Sequence, residues 1–161
     1  MVRFRTLSFA ENAIIKACHA GELSKWKFPS LADDSGLSIK VLSNQPGIYS
    51  ARWATEDNYM HAFRLIKNKI ESKGEKINGQ PAFFTCCLAL LFTPTKKHIF
   101  TGVLQGKLTY PPRGRFGFGY DPIFIPNQTN KTLAELSKTQ KNNISHRKLA
   151  FLKLKEFIFD K

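Results

Sequence analysis

The sequence predicts a mixed α/β domain with a largely mixed sheet, and three observations carry that prediction. Stretches with the apolar periodicity of helices occur between stretches with the alternation or the apolar runs of strands. Two of the strand candidates are separated by a short turn, which favours an antiparallel pair. The length of 161 residues and the hydrophobic content of 42% suit one ordinary domain with a substantial core. We therefore expect a single domain over residues 1–161.

The first half of the chain predicts a helix, a strand and a second helix. Ser8 and Glu11 have the spacing of a capping box, and an apolar stripe follows them. Alternating apolar and polar residues come after a turn that we predict at residues 33–36. Asp57 can cap the second helix through its side-chain oxygen. The predicted elements are a helix over residues 9–24, a strand over residues 37–41 and a helix over residues 57–71.

The second half predicts three strands, a long loop and two helices. Pro94 lies in the short connection between the first two strands. Thr132 and Glu135 have capping-box spacing and predict a short helix. A final helix begins near Ser145, and its predicted apolar side consists of Leu149, Leu152, Leu154, Phe157 and Ile158. The strands are predicted over residues 83–92, 98–104 and 123–125, and the loop, rich in glycine and arginine, over residues 107–121.

The net charge of +13 is the strongest compositional signal, and it predicts a polyanionic partner. Charge alone leaves nucleic acid, an acidic surface and a phosphorylated small molecule open. Lysines that decorate solvated faces would account for the charge equally well. No apolar run reaches the ~20 residues that span a bilayer, so we expect no membrane partner.

The cysteines and the N-terminus predict a cytoplasmic protein. The first residues lack the apolar core of an export signal. Cys86 and Cys87 are adjacent and Cys18 is distant in sequence, which makes a poor disulfide framework. We therefore expect three reduced thiols. No CxxC motif or paired histidines accompany them, so we expect no zinc site.

Asp33 and Asp34 form the first motif that carries chemistry. Two adjacent carboxylates repel each other, and a bound divalent cation relieves that repulsion. Magnesium prefers one or two carboxylates together with phosphate oxygens and water, and such a carboxylate can also orient or deprotonate a water. An Asp-rich turn is the alternative, because Asp, Ser and Gly are common turn formers.

Residues 114–121 form the most unusual stretch, Gly-Arg-Phe-Gly-Phe-Gly-Tyr-Asp. Glycines permit close backbone approach, aromatic rings can stack on a base, and Asp121 can accept hydrogen bonds from ring N–H groups. The glycine spacing fits neither a Walker A loop nor a dinucleotide fingerprint. The stretch is similar to the aromatic RNA-binding strand of an RNA-recognition motif, although Arg115 is an extra residue in that pattern. A plain glycine-aromatic turn is the other alternative.

Lys141, His146 and Arg147 cluster around the predicted start of the last helix. Backbone N–H groups and cationic side chains at such a position can bind anions or carbonyl oxygens. The alternative is a polar helix N-terminus with Ser145 as its cap.

Five segments, taken in order, closely resemble the inosine triphosphate pyrophosphatase family. The segments are residues 9–17 (Phe-Ala-Glu-Asn-Ala-Ile-Ile-Lys-Ala), 32–37 (Ala-Asp-Asp-Ser-Gly-Leu), 46–52 (Pro-Gly-Ile-Tyr-Ser-Ala-Arg), 117–124 (Gly-Phe-Gly-Tyr-Asp-Pro-Ile-Phe) and the stretch from 131 to 147. The resemblance implies a homodimeric enzyme that uses magnesium to hydrolyse ITP, dITP and XTP to the monophosphate and pyrophosphate. It also implies an elongated mixed sheet flanked by helices, with the active site in a cleft between two lobes.

The same resemblance implies the roles of individual residues. Asp34 would be the catalytic carboxylate and a magnesium ligand, Asp33 would support the metal or its waters, and Ser35 would contact the nucleotide. Phe118 would stack on the purine. The other residues of the base pocket would be Gly119, Tyr120, Asp121, Lys141, His146 and Arg147. Cationic donors that face O6 favour hypoxanthine and xanthine, because the amino group of adenine leaves them unpaired at about 1–3 kcal/mol each.

One family feature has no counterpart in this sequence. Family members begin with a strand and a Thr/Ser-Gly-Asn-x-x-Lys loop that grips the triphosphate, and nothing before Thr6 matches it. We therefore expect a domain that lacks the family's N-terminal strand and phosphate-binding loop. Two alternatives to an active enzyme stay open. One is a catalytically impaired remnant that still binds nucleotide or dimerises, and the other, less favoured, is a basic RNA-binding module.

Overall fold

One open five-stranded sheet and five α-helices form the described part of the chain, residues 8–55 and 58–159 of a computed structural model. The helices are α1 (Phe9–Leu23), α2 (Ser50–Trp53), α3 (Tyr59–Glu71), α4 (Lys138–Ile144) and α5 (His146–Phe159). The strands are β1 (Ser30–Ile39), β2 (Gln45–Pro46), β3 (Pro81–Leu91), β4 (Lys97–Leu108) and β5 (Phe124–Pro126). The predicted mixed α/β class is confirmed. None of the helices in these residues is long and apolar enough to cross a membrane.

The strands are arranged in the order β2-β1-β3-β4-β5. β1 pairs with β2 and β4 pairs with β5, both antiparallel, and Ser38 lies opposite Pro46 in the first pair. β3 and β4 are neighbours, as predicted from the short turn between them. In that turn the Phe92 N–H donates to the Lys96 carbonyl at 3.0 Å.

β1 is longer than predicted and includes residues 33–36, where the sequence predicted a turn. The turn prediction was wrong, because the local preference of Asp, Ser and Gly for turns is weaker than sheet pairing and burial. Leu37 and Ile39, which follow in the same strand, are completely buried. A 3-10 turn over Lys40–Leu42 then ends the strand earlier than predicted.

The described residues divide into two compact units. Unit 1 comprises residues 8–35, 85–103 and 146–159, and unit 2 comprises residues 36–55, 58–84 and 104–145. In unit 2, α3 buries its apolar stripe in the core, as predicted. The residues of that stripe are Ala62, Phe63, Ile66 and Ile70. Asp57, which was predicted to cap this helix, lies outside the described residues.

In unit 1 the strand β3 is covered on both faces, because successive side chains of a strand point to opposite sides. Cys87 packs with Ala13 and Ala17 of α1, whereas Cys86 packs with Ala150 of α5. The two adjacent thiols therefore point apart. Both are free, and so is Cys18 of α1.

α5 packs against the sheet through a stripe that the sequence predicted only in part, since Leu154 belongs to it. Its buried residues are His146, Ala150 and Leu154, spaced four apart. Leu152 is 39% exposed and Ile158 is 48% exposed, so the predicted apolar side was wrong at these two positions. Large apolar residues suggested the face from the sequence alone, whereas backbone atoms of His146 and Ala150 lie close to Gly102 of β4.

Two of the helix starts follow the predicted capping signals. Ser8 caps α1, since its Oγ accepts the Glu11 N–H at 3.1 Å. The capping box that begins at Thr132 also forms, and it opens a short 3-10 helix, Leu133–Glu135. A second box, from Ser137 to Gln140, was not predicted and begins α4.

Candidate active site

The residues predicted for the active site fall into two groups, one in each unit. Unit 1 contains Asp33, Asp34, Ser35, His146 and Arg147, and unit 2 contains Phe118, Gly119, Tyr120, Asp121 and Lys141. An ion pair joins members of each group, Arg147 with Asp33 and Lys141 with Asp121. Each group therefore contains a carboxylate that is paired with a cation.

The Asp34 carboxylate is held on both of its oxygens by α1. Lys16 Nζ lies 2.6 Å from Oδ1, and Asn12 Nδ2 donates to Oδ2 at 3.1 Å. Lys16 Nζ also donates to the Asp33 carbonyl at 3.0 Å. Asn12 and Lys16 are four residues apart, so the helix presents both on one face. Together they fix the orientation of the carboxylate, which is only 15% exposed.

The Asp33 carboxylate has a different set of partners. Its Oδ2 accepts from Arg147 at 2.9 Å and from the Ser35 hydroxyl at 3.2 Å. Burial would raise the pKa of this carboxyl, but the hydrogen bond and charge of Arg147, helped by Ser35 and Lys16, lower it below the ordinary value. Asp33 is therefore ionised throughout the neutral range.

The two adjacent carboxylates engage different helices. Neighbouring residues in a strand point to opposite sides, which turns Asp34 toward α1 and Asp33 toward Arg147 at the start of α5. Each carboxylate therefore has a cation of its own. The repulsion that the sequence suggested a metal would relieve is already reduced by Lys16 and Arg147.

The donor set of this cluster fits magnesium. Within residues 8–55 and 58–159 no group of three or more His, Cys, Asp or Glu side chains could hold a metal ion. Magnesium is usually bound through one or two carboxylates, with substrate phosphates and waters in its other positions. Asp34 supplies one such carboxylate, since Asp33 points to the other side of the strand, whereas a tetrahedral zinc site or a calcium cage needs more protein ligands.

His146 and Arg147 open α5 in different environments. His146 is 8% exposed, and its backbone carbonyl packs against Gly102 of β4. Arg147 is 48% exposed at its side chain and extends to Asp33. The exposed guanidinium is the one of the two that can also reach an incoming anion.

The loop of residues 114–121 in unit 2 is held by hydrogen bonds from its backbone N–H groups. The N–H groups of Arg115 and Phe116 both donate to the Ala134 carbonyl at 3.0 Å. Gly117 has a φ of +78°, and a Cβ at this position would lie 2.0 Å from Asp121 Oδ2. Glycine is therefore required there both for its conformation and for the close approach of the carboxylate.

Asp121, Lys141 and Phe118 form one cluster. The buried Asp121 carboxylate accepts the Phe118 N–H at 2.9 Å and forms an ion pair with Lys141. Lys141 Nζ lies 4.2 Å from the centroid of the Phe118 ring, within cation–π range. The Phe118 ring itself is 68% exposed. An exposed ring beside a cation and a carboxylate can stack on a planar base and bond to its polar edge. The sequence placed Lys141 near the start of the last helix, and it lies in α4 instead.

Tyr120 is the predicted pocket residue that turns inward. It is 4% exposed, and its hydroxyl donates to the Ser50 carbonyl at 2.6 Å. Its ring meets the Tyr59 ring edge-on, with 5.2 Å between the centroids. Burial raises the pKa of this hydroxyl above its ordinary value, so it stays protonated and keeps donating.

A cavity of about 340 Å³ borders the same loop. It is lined by the start of α3, including Tyr59 and Met60, and by residues 114–119. Its volume lies in the range of small-ligand pockets.

A sequence model of the Ham1 family matches residues 5–157. The chain belongs to the Ham1 family. This membership confirms the resemblance that the five sequence segments indicated. Known members of the family are similar to this chain both in sequence and in structure.

Two curated relatives are both called dITP/XTP pyrophosphatase. The protein from Caulobacter vibrioides is 42% identical over 155 residues, which is 95% of this chain and 77% of the relative. The protein from Bacillus subtilis is 42% identical over 152 residues, which is 94% of this chain and 75% of the relative.

Solved structures of Ham1 proteins have the same fold. A HAM1 protein from Coxiella burnetii superimposes with a TM-score of 0.89 at 36% identity, covering 99% of this chain and 81% of the other. The Ham1 protein of Staphylococcus aureus gives a TM-score of 0.85 at 34% identity, covering 98% of this chain and 80% of the other.

Three residues of this Ham1 chain contact the predicted site residues but were missed in the sequence. Asn12 and Lys16 bind Asp34, and their four-residue spacing within the Glu-Asn-Ala segment was a signal for a shared helix face. Ser50 binds Tyr120 from 70 residues away, and no local pattern indicates that contact.

Proposed function

We propose that this chain hydrolyses dITP, XTP and ITP to the monophosphate and pyrophosphate. The observation that carries the proposal is the 42% identity, over 95% of the chain, to the dITP/XTP pyrophosphatase of Caulobacter vibrioides. The two groups of side chains support the proposal. The Asp34 carboxylate, paired with Lys16, suits phosphate hydrolysis, and the exposed Phe118 ring suits the binding of a purine. Such an enzyme removes deaminated purines from the pool of nucleotides that are built into DNA and RNA.

In the proposed reaction a water attacks the α-phosphorus in line with the bond to the β-phosphate. The new P–O bond gives the monophosphate, and pyrophosphate leaves with the electron pair of the broken bond. Asp34 accepts a proton of the attacking water. Lys16 and Asn12 support this role, since they hold both oxygens of that carboxylate in place.

Magnesium is the cofactor that we propose, with Asp34 as its ligand and Asp33 supporting it or its waters. When bound, magnesium supplies positive charge against the phosphate chain. The chain's own residues contribute to the same end, because the exposed guanidinium of Arg147 carries a charge that can attract the triphosphate. Ser35, which donates to Asp33, is placed in the proposal as a contact to the nucleotide.

The base pocket of the proposal centres on Phe118, which stacks on the purine. Lys141 donates to the O6 of hypoxanthine or xanthine, while Asp121 accepts from a ring N–H. Adenine presents an amino donor at that position, which would leave the Lys141 donor unpaired at about 1–3 kcal/mol. The proposed substrate-binding set is completed by Gly119, Tyr120, His146 and Arg147.

We further propose a homodimer that works in the cytoplasm. The family resemblance supports the dimer, and the three free thiols of unit 1 suit a reducing compartment. Light scattering coupled to gel filtration distinguishes a particle of twice the 18.3 kDa chain mass from a monomer. A single species at the monomer mass across the micromolar range would reject the dimer.

The decisive experiment for the activity uses the purified chain with dITP or XTP and magnesium at alkaline pH, with ATP as the comparison substrate. Chromatography resolves monophosphate from pyrophosphate. We expect turnover of dITP and XTP but not of ATP. Asp34→Asn should reduce kcat by at least about 100-fold, since it removes the proton acceptor and a metal ligand.

The matched control is Glu75→Gln, which neutralises an exposed carboxylate of unit 2 that accepts a hydrogen bond from Gln80 Nε2 at 3.3 Å. It should keep wild-type turnover. A folded chain that binds dITP but produces no pyrophosphate would reject the activity and leave the impaired remnant as the better description.

A further inference from the structure

Ser50 is a buried residue whose side chain ties two segments of unit 2 together. Its Oγ accepts the Leu37 N–H at 2.8 Å and donates to the Gly47 carbonyl at 2.6 Å. A hydroxyl has a single proton, so these two bonds use its donor and one of its acceptor positions. The side chain therefore fastens the start of α2 to the backbone of β1.

The backbone of Ser50 makes a separate contact. Its carbonyl accepts the Tyr120 hydroxyl at 2.6 Å, across 70 residues of sequence. The Tyr120 ring is enclosed by Tyr59 and Phe63, with centroid separations of 5.2 and 6.1 Å. The hydroxyl has this carbonyl as its acceptor, and it is buried away from water. Tyr120 therefore faces the protein interior and holds its loop to α2.

The loop that Tyr120 belongs to carries the groups proposed to recognise the base. Asp121 is its next neighbour, and Phe118 precedes it by two residues. Those two residues are already joined, since the Asp121 carboxylate accepts the Phe118 N–H at 2.9 Å. A displacement of Tyr120 would therefore reach both the stacking ring and the carboxylate.

We propose that Ser50 is a positioning residue for base selectivity. It acts through the Tyr120 hydroxyl on the loop of residues 114–121. The inference rests on the proposed function, because selectivity between purines is its readout. Ser50 itself touches no substrate. It provides a fixed acceptor for Tyr120, and its own side-chain bonds to Leu37 and Gly47 hold that acceptor in place.

The test compares Tyr120→Phe and Ser50→Ala with the wild type, using dITP and dATP as substrates. Tyr120→Phe keeps the ring and removes only the bond to the carbonyl. We expect KM for dITP to rise about 3- to 10-fold, the loss of one buried hydrogen bond, with a smaller change in kcat. The ratio of kcat/KM for dITP over dATP should fall by a similar factor. Because both residues act through one link, the double variant should lose less than the product of the two single effects.

Tyr49→Phe is the matched control, since it removes a tyrosine hydroxyl next to Ser50 in sequence from a ring that is 40% exposed. Its KM and selectivity should equal those of the wild type. Should Ser50→Ala fail to fold, Tyr120→Phe alone still gives the comparison. Thermal unfolding of every variant separates a loss of stability from a loss of selectivity.

The outcomes separate the positioning role from the proposed function. Unchanged KM and unchanged purine ratio in Tyr120→Phe would overturn the positioning role and leave the proposed function standing. An equal loss for dITP and dATP would also overturn it, because a merely structural role predicts that result. If the wild type is inactive, calorimetric binding of dIMP and dAMP replaces the assay. Weaker and less selective dIMP binding by Tyr120→Phe then supports the role, and a wild type that binds neither nucleotide overturns both the function and the inference.

Discussion

The Arg147 guanidinium donates to Asp33 Oδ2 at 2.9 Å and joins two residues that lie 114 positions apart in the sequence. The bond ties the start of α5 to β1 next to Asp34. It gives Asp33 a cation of its own, so that Lys16 is left to Asp34. The two neighbouring carboxylates are thus paired with separate cations, one on each side of the strand, without any metal or substrate.

The Asp33–Arg147 pair predicts a specific pH dependence of stability. The pKa of Asp33 is lower in the folded chain than its ordinary value of 3.8. Between those two pKa values the unfolded chain binds more protons, so stability rises with pH there. The contribution is complete above 3.8 and is lost as the pH falls through the folded pKa. Asp33→Asn removes it.

Urea unfolding of the wild type and of Asp33→Asn, from pH 7 down to pH 3, measures this contribution. The difference in free energy of unfolding should be constant above about pH 5 and should shrink below the ordinary Asp pKa. The side chains of Asp33 and Arg147 are 40 and 48% exposed, so added salt should also reduce the difference in free energy of unfolding. A difference that grows on acidification would contradict the assignment.

Lys16 should matter for turnover because it orients the Asp34 carboxylate. A hydrogen bond to a charged group contributes about 1.5–3 kcal/mol, so Lys16→Gln should reduce kcat for dITP by about 10- to 100-fold. Lys67→Gln is the matched control, since Lys67 forms a similar 2.8 Å ion pair with Glu71 on α3. Equal kcat values for the two variants would show that the Lys16–Asp34 contact has no part in the reaction.

Phe118 should contribute to affinity through stacking. Base–aromatic stacking is worth about 1–3 kcal/mol on substitution by alanine, so Phe118→Ala should weaken dIMP binding by about 5- to 150-fold. Phe116→Ala is a close control, because that ring is 64% exposed in the same loop but is not among the residues proposed to contact the base. Calorimetry measures both. Similar losses in the two variants would indicate a general loosening of the loop instead of stacking.

Features that depend on neighbouring residues were predictable from the sequence. The Ser8 cap of α1 and the buried stripe of α3 follow from spacing alone, and both are confirmed. The Ser137 box was missed although its Ser-x-x-Gln spacing was present. The ion pairs were not predictable in this way, because Arg147 with Asp33 and Lys141 with Asp121 each join residues of two different sequence motifs.

Features that depend on distant residues were not predictable in the same way. Residues 33–36 have the composition of a turn, and only pairing within the sheet makes them a strand. The separate pairing of Asp33 and Asp34 follows from that strand, so it was missed with it. The Tyr120 hydroxyl bonds to the backbone carbonyl of Ser50. Every residue has such a carbonyl, so the sequence does not indicate this contact.

Gly102 of β4 sets how closely α5 approaches the sheet. A Cβ at this position would lie 2.1 Å from the His146 carbonyl oxygen and 2.4 Å from the Ala150 nitrogen. Both are backbone atoms of the helix, so an added methyl group cannot be accommodated by a rotamer change. The first turn of α5 would have to move, and Arg147 would move with it.

Gly102→Ala should therefore destabilise the chain by about 1–3 kcal/mol, the usual cost of overpacking. It should also raise the pKa of Asp33 toward its ordinary value, because the displaced Arg147 no longer holds the carboxylate. Urea unfolding measures the first effect and carboxyl-carbon NMR titration the second. Val103→Ala, a substitution at the adjacent and 38% exposed position, should leave the Asp33 titration unchanged. A stable Gly102→Ala chain with an unaltered Asp33 pKa would mean that the contact between α5 and β4 does not control the ion pair at Asp33.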